Sequence, residues 1–310
     1  MPLAYLNVDV INPSTVNTVT VNGIVAKKEV NEPLILWAGA SQTSIGSGCT
    51  IVGEEAMIAN TGNSNTAIGA LALRSNTTAA NNTAVGHNSS VHNTTGVNNT
   101  SIGYSSLLGQ SGLTTGSGNT AIGNTALTQI TTGNSNTGLG IAAGFSITTG
   151  TTNTCLGAQA AVLLTTGSNN IAIGHDSQVA TPTTSNSITL GNGSNTILRC
   201  AVTSITSLSD ARDKKDVAPI ELGLDFVKEL NPVKFVWNDR DESGKHDVAD
   251  SGFIAQDLKS LEDKYNASEV LKLVYDENPE KLEASYGRLV PVLVQAIKDL
   301  AAKVEQLENK

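Results

Sequence analysis

The stretch that decides the fold is "NTAIGALALRSNTTAANNTAVG", residues 65 to 86, because it opens and closes on nearly the same five residues. That phrase returns as NTSIG at 99, NTAIG at 119, NTGLG at 136, NTCLG at 153, NIAIG at 170 and, more loosely, SITLG at 187. Its glycines are Gly69, Gly86, Gly103, Gly123, Gly140, Gly157, Gly174 and Gly191, so the step is 17 residues with a single step of 20. A fixed short period marks a stack of like units. Units this small, rich in Thr and branched aliphatics and poor in helix formers, predict one β-rung per copy rather than helical pairs.

Positions within a copy divide the work. The residue before each glycine is Ile68, Val85, Ile102, Ile122, Leu139, Leu156, Ile173 or Leu190, a column expected to stack as a buried aliphatic layer. Three residues after each glycine stands only Ala or Ser, from Ala72 to Ser194, which predicts a tightly packed site. The residue just after the glycine has no common chemistry, so that column is expected to face water or a partner. The linking TTG, GNSN and GSNN pieces supply turn residues that tolerate positive φ. A thin rung encloses little apolar surface, so neighbouring chains are expected to complete the core, most simply as a parallel trimer. Separate side-by-side coils and interwound chains both remain open, and they predict shafts of very different length.

Working outward, charge changes abruptly at the end of the repeats. Between residues 46 and 199 the only Asp, Glu, Lys or Arg are Glu54, Glu55, Arg74, Asp176 and Arg199, whereas residues 209 to 310 hold 22 of the 28 acids and 15 of the 19 bases. The second region therefore reads as a separate, water-exposed domain. The 4% aromatic content argues against one large conventional core in a 310-residue chain, and the net charge of −9 makes a nucleic-acid partner an unsuitable reading. Cys49, Cys155 and Cys200 have no metal-ligand spacing and suit a reducing compartment. No signal peptide and no membrane-spanning apolar run are visible, which predicts synthesis in a host cytoplasm without membrane insertion. The N-x-[ST] triplets are read as ladder and turn residues rather than glycosylation sites, and His87 and His175 as solvated side chains rather than metal ligands. No cofactor is expected.

Beyond the boundary, Ile220, Leu224, Val227 and Leu230 follow Pro219 at helical spacing, and a strand-like VKFVW occupies 233 to 237. Val290, Leu293, Ile297, Leu300, Val304 and Leu307 form a seam with alternating steps of 3 and 4, expected in a terminal helix that associates with its own copies. The plainer alternative is an amphipathic helix packed on its own domain. At the front, YLNVDVINPSTVNTVTVNGIVAKKEV alternates around an Asn-Gly pair and predicts short strands or a hairpin.

The NTAIG copies resemble the repeats of trimeric β-roll adhesin heads and of bacteriophage fibre shafts. More specifically, SDARDK at 209 to 214 is similar to the S-D-x-R-x-K signature that opens the endosialidase-type intramolecular chaperone of phage tail spikes and fibres, the peptidase S74 family. NPVKFVW, GFIAQDL and YGRLVPVLVQAIKDL resemble its later landmarks, in the same order. The resemblance implies a module that trimerises, drives the upstream β-fibre to fold, and is then cut off by its own Ser and Lys. It also implies a functional histidine in the stretch holding His246.

The chemistry can be argued from the residues. A serine attacks a carbonyl only if a base removes its proton, and a lysine is such a base only when neutral. Burial and neighbouring cations favour the neutral form, and Arg212 and Lys215 flank Lys214. The expectation is that Ser209 attacks the carbonyl of Leu208 with Lys214 as base, breaking the Leu208–Ser209 bond. Asp210 and Asp213 oppose this unless Arg212 or Lys215 engages them; Arg212 could instead bridge chains or hold the cut strand. The structural alternative is a helix N-cap at the Ser-Asp pair. Any catalysis would be one self-cut per chain, with no external substrate.

The sequence thus predicts a mainly β chain: an N-terminal β anchor over 1–42, a homotrimeric β-helix or β-roll fibre shaft over 43–198, a linker over 199–208, and an α+β chaperone over 209–310 ending in a coiled-coil helix over 286–310. Expected partners are a phage tail, baseplate or other virion protein at the N-terminus and a bacterial surface glycan or protein on the shaft. The receptor-facing candidates are His87, Tyr104, His175 and Asp176. A purely structural fibre or capsid decoration is the competing reading. A glycan-degrading shaft is not supported, since its acids are adjacent Glu54 and Glu55 and lone Asp176, with no suitably separated carboxylate pair.

Overall fold

The computed structural model describes residues 46–195, 197–201, 207, 209–238 and 247–310, together with the backbone of three short strands before them. It falls into two compact units, Met1–Asn192 and Gly193–Lys310.

In the first unit, β1 (Thr18–Val21) and β2 (Ile24–Lys27) pair antiparallel with Val21 opposite Ile24. The sequence predicts short strands here, and the Asn-Gly pair between them lies outside the described residues. Strand β3 (Leu34–Leu36) pairs antiparallel with β2 and parallel with β4 (Thr50–Val52). From there the rungs β5 (Thr66–Ile68), β6 (Thr83–Val85), β7 (Thr100–Ile102), β8 (Thr120–Ile122), β9 (Thr137–Leu139), β10 (Thr154–Leu156), β11 (Ile171–Ile173) and β12 (Ile188–Leu190) each pair in parallel with the next. The chain is mainly β, and this unit is a parallel β-solenoid of about eight turns. The rung β4 precedes the first recognised copy; its glycine, Gly53, lies only 16 residues before Gly69.

Strand alternation decides which side chains turn inward. Asn65 and Ala67 are buried whereas Thr66 and Ile68 point outward, and later rungs repeat this. The aliphatic column is therefore not the buried layer expected from the sequence: Ile68, Ile102, Leu139, Leu156 and Ile173 stay 38 to 42% exposed. The middle residue of the rungs β4 to β11 takes the interior instead: Ile51 in β4, and a small residue in β5 to β11, among them Ala84, Ala121, Cys155 and Ala172. The Ala/Ser column three residues past the glycine is buried as predicted, from Ala72 through Ser177.

Nor does a coil need a neighbouring chain to complete its interior. Met57, Leu73, Leu107 and Leu127, four residues past their glycines, fill it together with Ile130, Ile147 and Leu164. Each such side chain contributes about 1.5–3 kcal/mol when fully buried. The column holding Ile130, Ile147 and Leu164 is polar in the earlier coils, where Asn60, Asn76 and Asn93 occupy it.

A second buried column is entirely polar: Asn65, Asn82, Asn99, Asn119, Asn136, Asn153 and Asn170. Each is satisfied by the coil above it. Asn136 Oδ1 accepts the Asn153 backbone N–H at 3.0 Å, and Asn136 Nδ2 donates to the Gly150 carbonyl at 2.8 Å. The same two bonds recur at Asn82 with Asn99 and Gly96, and at Asn153 with Asn170 and Gly167. An amide carries both a donor and an acceptor, so it can stack on copies of itself without leaving a buried polar atom unpaired.

The second unit is small and α+β. Helix α1 (Leu224–Glu229) starts four residues later than the Ile220 spacing suggested, with Gly223 at its N-cap and no side-chain cap of its own. The cap comes from afar: Asp299 Oδ2 accepts the Leu224 N–H at 2.9 Å. Strands β13 (Val233–Val236) and β14 (Ala249–Gly252) pair antiparallel, followed by α2 (Ala255–Lys264), α3 (Ser268–Leu271), the two-residue strands β15 (Val274–Tyr275) and β16 (Glu283–Ala284), and α4 (Val290–Glu308). Phe226, Leu258, Leu261, Leu271, Leu273, Leu289 and Val292 form the core.

Helix α4 uses two faces differently. Val292 and Ala296 are buried and the helix packs against α1, whereas Val290, Leu293, Ile297, Leu300, Val304 and Leu307 remain exposed. The helix thus docks on its own unit without using the predicted seam.

Glu262 is fully buried and its Oε1 accepts the Leu273 N–H at 2.7 Å. Glu262→Ala should lower the stability of this unit by about 1–3 kcal/mol, because that N–H is left buried and unpaired. Glu262→Gln keeps an acceptor and should cost less. Urea midpoints of the two variants measure the difference.

Candidate functional site

The abrupt charge boundary folds into one short turn. Residues Ala211–Asp213 form a single 3₁₀ turn capped by Asp210, whose carboxylate accepts the Arg212 N–H at 2.9 Å. The N-cap expected at the Ser-Asp pair is thus present, and Asp210 supplies it, leaving the Ser209 hydroxyl outside the cap. The Arg212 side chain closes back on the same carboxylate, Nη2 to Oδ2 at 2.6 Å and Nε to Oδ1 at 3.1 Å. The Arg212 guanidinium holds the Asp210 carboxyl below its ordinary range, with the backbone bond adding to it, and the Arg212 pKa is raised in turn.

The turn reverses the chain so that residues five apart meet. Lys214 leaves it with extended backbone, φ −120° and ψ 140°, and its Nζ donates to Ser209 Oγ at 2.6 Å and to the Ser209 carbonyl at 3.1 Å. The amine sits at proton-transfer distance from the hydroxyl. Asp210, one of the two acids expected to hold Lys214 protonated, is engaged by Arg212. Both Ser209 and Lys214 are exposed in the single chain. Leu208, across the expected scissile bond, and His246 lie outside the described residues.

The receptor-facing candidates do not form one site. His87 and Tyr104 stand on successive rungs with rings stacked 5.6 Å apart at 9°. His175 and Asp176 follow β11, four rungs beyond β7, about 19 Å along the stack at the usual strand spacing. Asp176 accepts a bond from Gln178 Nε2 at 2.8 Å. All four residues are exposed. Among the described residues, no group of three or more His, Cys, Asp or Glu could hold a metal ion, and no helix is long and apolar enough to cross a membrane.

One residue the sequence did not single out ties this unit together. Tyr286 Oη accepts the Phe253 N–H at 3.1 Å and donates to the Phe253 carbonyl at 3.2 Å, and the two rings meet edge-on at 5.3 Å. It joins the GFIAQDL and YGRLVPVL segments, and its place in the second of them was its only signal.

A parallel β-solenoid is followed in the chain by a small α+β unit that carries the Ser209–Lys214 pair and an exposed helical seam, and this combination fits a class: a fibre with a C-terminal assembly module. Residues 209–265 match the model of the peptidase S74 family, described as chaperone of endosialidase. The match begins at Ser209 itself. Domains of this type belong to trimeric phage fibres, and the combination of solenoid and chaperone fits a tail fibre with a C-terminal chaperone domain. Neither the comparison with curated proteins nor that with solved structures finds a significant match.

Proposed function

We propose that the chain is a homotrimeric phage tail fibre, made in the host cytoplasm and carried on the virion. Its N-terminal segment attaches to a tail, baseplate or other virion protein, and its shaft meets a bacterial surface glycan or protein. Its C-terminal unit gathers three copies, guides the shaft to fold, and then releases itself by one cut between Leu208 and Ser209. The observation carrying this reading is the 2.6 Å contact between Lys214 Nζ and Ser209 Oγ at the first residue of the chaperone match.

The shaft has a physical need for such help. Each rung bonds only to residues about 17 away, so the partly built stack exposes open strand edges and gains little until several rungs form. Holding three chains in register at one end lowers that barrier. The exposed seam of α4 is a natural grip for the purpose.

The cut is written as an acyl shift followed by hydrolysis. Neutral Lys214 takes the Ser209 Oγ proton, and Oγ bonds to the Leu208 carbonyl carbon. The Leu208–Ser209 C–N bond breaks, and the leaving nitrogen takes the proton from the Lys214 ammonium. Water then hydrolyses the resulting ester, freeing the Leu208 carboxylate and restoring the Ser209 hydroxyl. Because Lys214 is exposed in the single chain and burial favours the neutral amine, closure of a neighbouring copy over it is the step that makes the base. Assembly would then precede cutting.

On the shaft, the stacked His87–Tyr104 pair offers a flat ring face of the kind that packs against a sugar or an apolar side chain, with His175 and Asp176 as a separate exposed spot. Phage particles whose fibre lacks residues 60–198 should assemble yet lose adsorption to the host. Normal adsorption by such particles would instead make the shaft a structural spacer or capsid decoration.

A further inference from the structure

The outward aliphatic column is work left undone by the single chain. Strands β5 to β12 contain no Asp, Glu, Lys, Arg or His, and Ile68, Ile102, Leu139, Leu156 and Ile173 occupy successive or near-successive positions of one in-register ladder. The result is an apolar ridge seven rung steps long, about 34 Å at the usual strand spacing. The solenoid interior is already filled, so nothing inside the coil requires these side chains to be large. Isolated exposed aliphatics need no explanation, but a continuous uncharged ridge does.

The course of the chain at its one irregular coil points to the same surface. The step from Gly103 to Gly123 is three residues longer than the others, yet Thr100 still pairs with Thr120 and Ile102 with Ile122. The extra length is taken up by the exposed turn Gln110–Leu113, away from the strands, so the ridge keeps its rise unbroken. A surface repeating at every rung is matched along its whole length only by a surface of the same rise, and another copy of this chain supplies one. The lack of charge removes any repulsion between identical faces and offers no electrostatic handle to a foreign partner.

We infer that the ridge formed by the residues preceding the repeat glycines is the surface through which copies of the shaft pack on one another. This rests on the reading of the chain as a multi-copy fibre and adds to it the face that each copy presents. The residues after the glycines, including His87 and Tyr104, are thereby left for other partners.

The test uses the full chain with the exposed native thiol removed by Cys200→Ser. Cys49 and Cys155 are buried, and burial pushes the Cys155 thiol up to about 12, so neither competes for a thiol reagent. Leu139→Cys and, separately, Ile173→Cys place a thiol on the ridge, and Asn124→Cys places one on the exposed column after the glycine. A short bismaleimide should convert the two ridge variants to covalent multimers at least tenfold more than Asn124→Cys. Ridge variants that stay monomeric on denaturing gels, while their native mass is multi-copy, would overturn the ridge and leave the fibre reading standing. A single-copy native mass for the unsubstituted chain would overturn both. Using two ridge positions keeps the result readable if one variant misfolds.

Discussion

Intact-mass measurement of the assembled wild-type chain is expected to find two products, one ending at Leu208 and one beginning at Ser209, while Ser209→Ala and Lys214→Ala remain at 32.0 kDa. The geometry makes the outcome sharp. A role for Ser209 in holding the turn is already taken by Asp210, which accepts the Arg212 N–H, so replacing Ser209 should leave the local structure alone. Removing the base should slow the cut by about 10²- to 10⁴-fold, the usual range for general-base help. The cut should follow trimer formation rather than precede it. Arg212→Ala should slow the cut less than Lys214→Ala, by freeing the Asp210 carboxylate that Arg212 engages. Uncut wild-type chain in a fully assembled oligomer would remove the dyad from consideration.

The second large effect is on the shaft. Gly140 has φ +134°, a region that L side chains rarely adopt, and a methyl group there would lie 2.6 Å from the Gly157 carbonyl carbon and oxygen of the next coil. Gly140→Ala therefore meets both backbone strain of about 1–3 kcal/mol and an obstacle that cannot rotate away. The next coil must shift, and ladder bonds worth about 1 kcal/mol each are lost between β9 and β10. A total near 4 kcal/mol or more is expected, enough to melt the shaft well below the wild-type temperature. Ala142→Gly is the matched control: Ala142 sits at φ +54°, a conformation glycine adopts freely, so this change should be close to neutral. Thermal melts followed by far-ultraviolet circular dichroism compare the two. Equal melting temperatures would mean that neighbouring coils do not approach as closely as described.

Much of this architecture could be read in advance, and the exceptions have physical causes. Periodicity located the rungs, the small-residue column and the variable outer column, because each depends only on counting from a glycine. The facing of the aliphatic column was misjudged because alternation says that Thr66 and Ile68 share a side without saying which side is inside. Size suggested that Ile68 goes in; the inward position is its neighbour Ala67, and the coil takes its bulk from Leu73, outside the recognised phrase. The Asn65 to Asn170 column looked like turn chemistry, since a lone buried amide is costly, and only stacking on a copy of itself makes it cheap. At the boundary, the residue types of the dyad were legible. Their contact was not, because it depends on the 3₁₀ turn that brings Lys214 back to Ser209. The delayed start of α1 depends on Asp299, 75 residues away, which no local pattern encodes.

The interchangeability of the coils has a consequence for heredity. Adjacent coils meet through the same asparagine and glycine contacts, so excising or duplicating one 17-residue unit from β8 to β11 rejoins matching surfaces. Unequal recombination between DNA segments encoding two such units is one route to that change. Each such event would shorten or lengthen the rod by one increment of about 4.8 Å, giving a lineage a ready means of adjusting its reach without inventing a new fold.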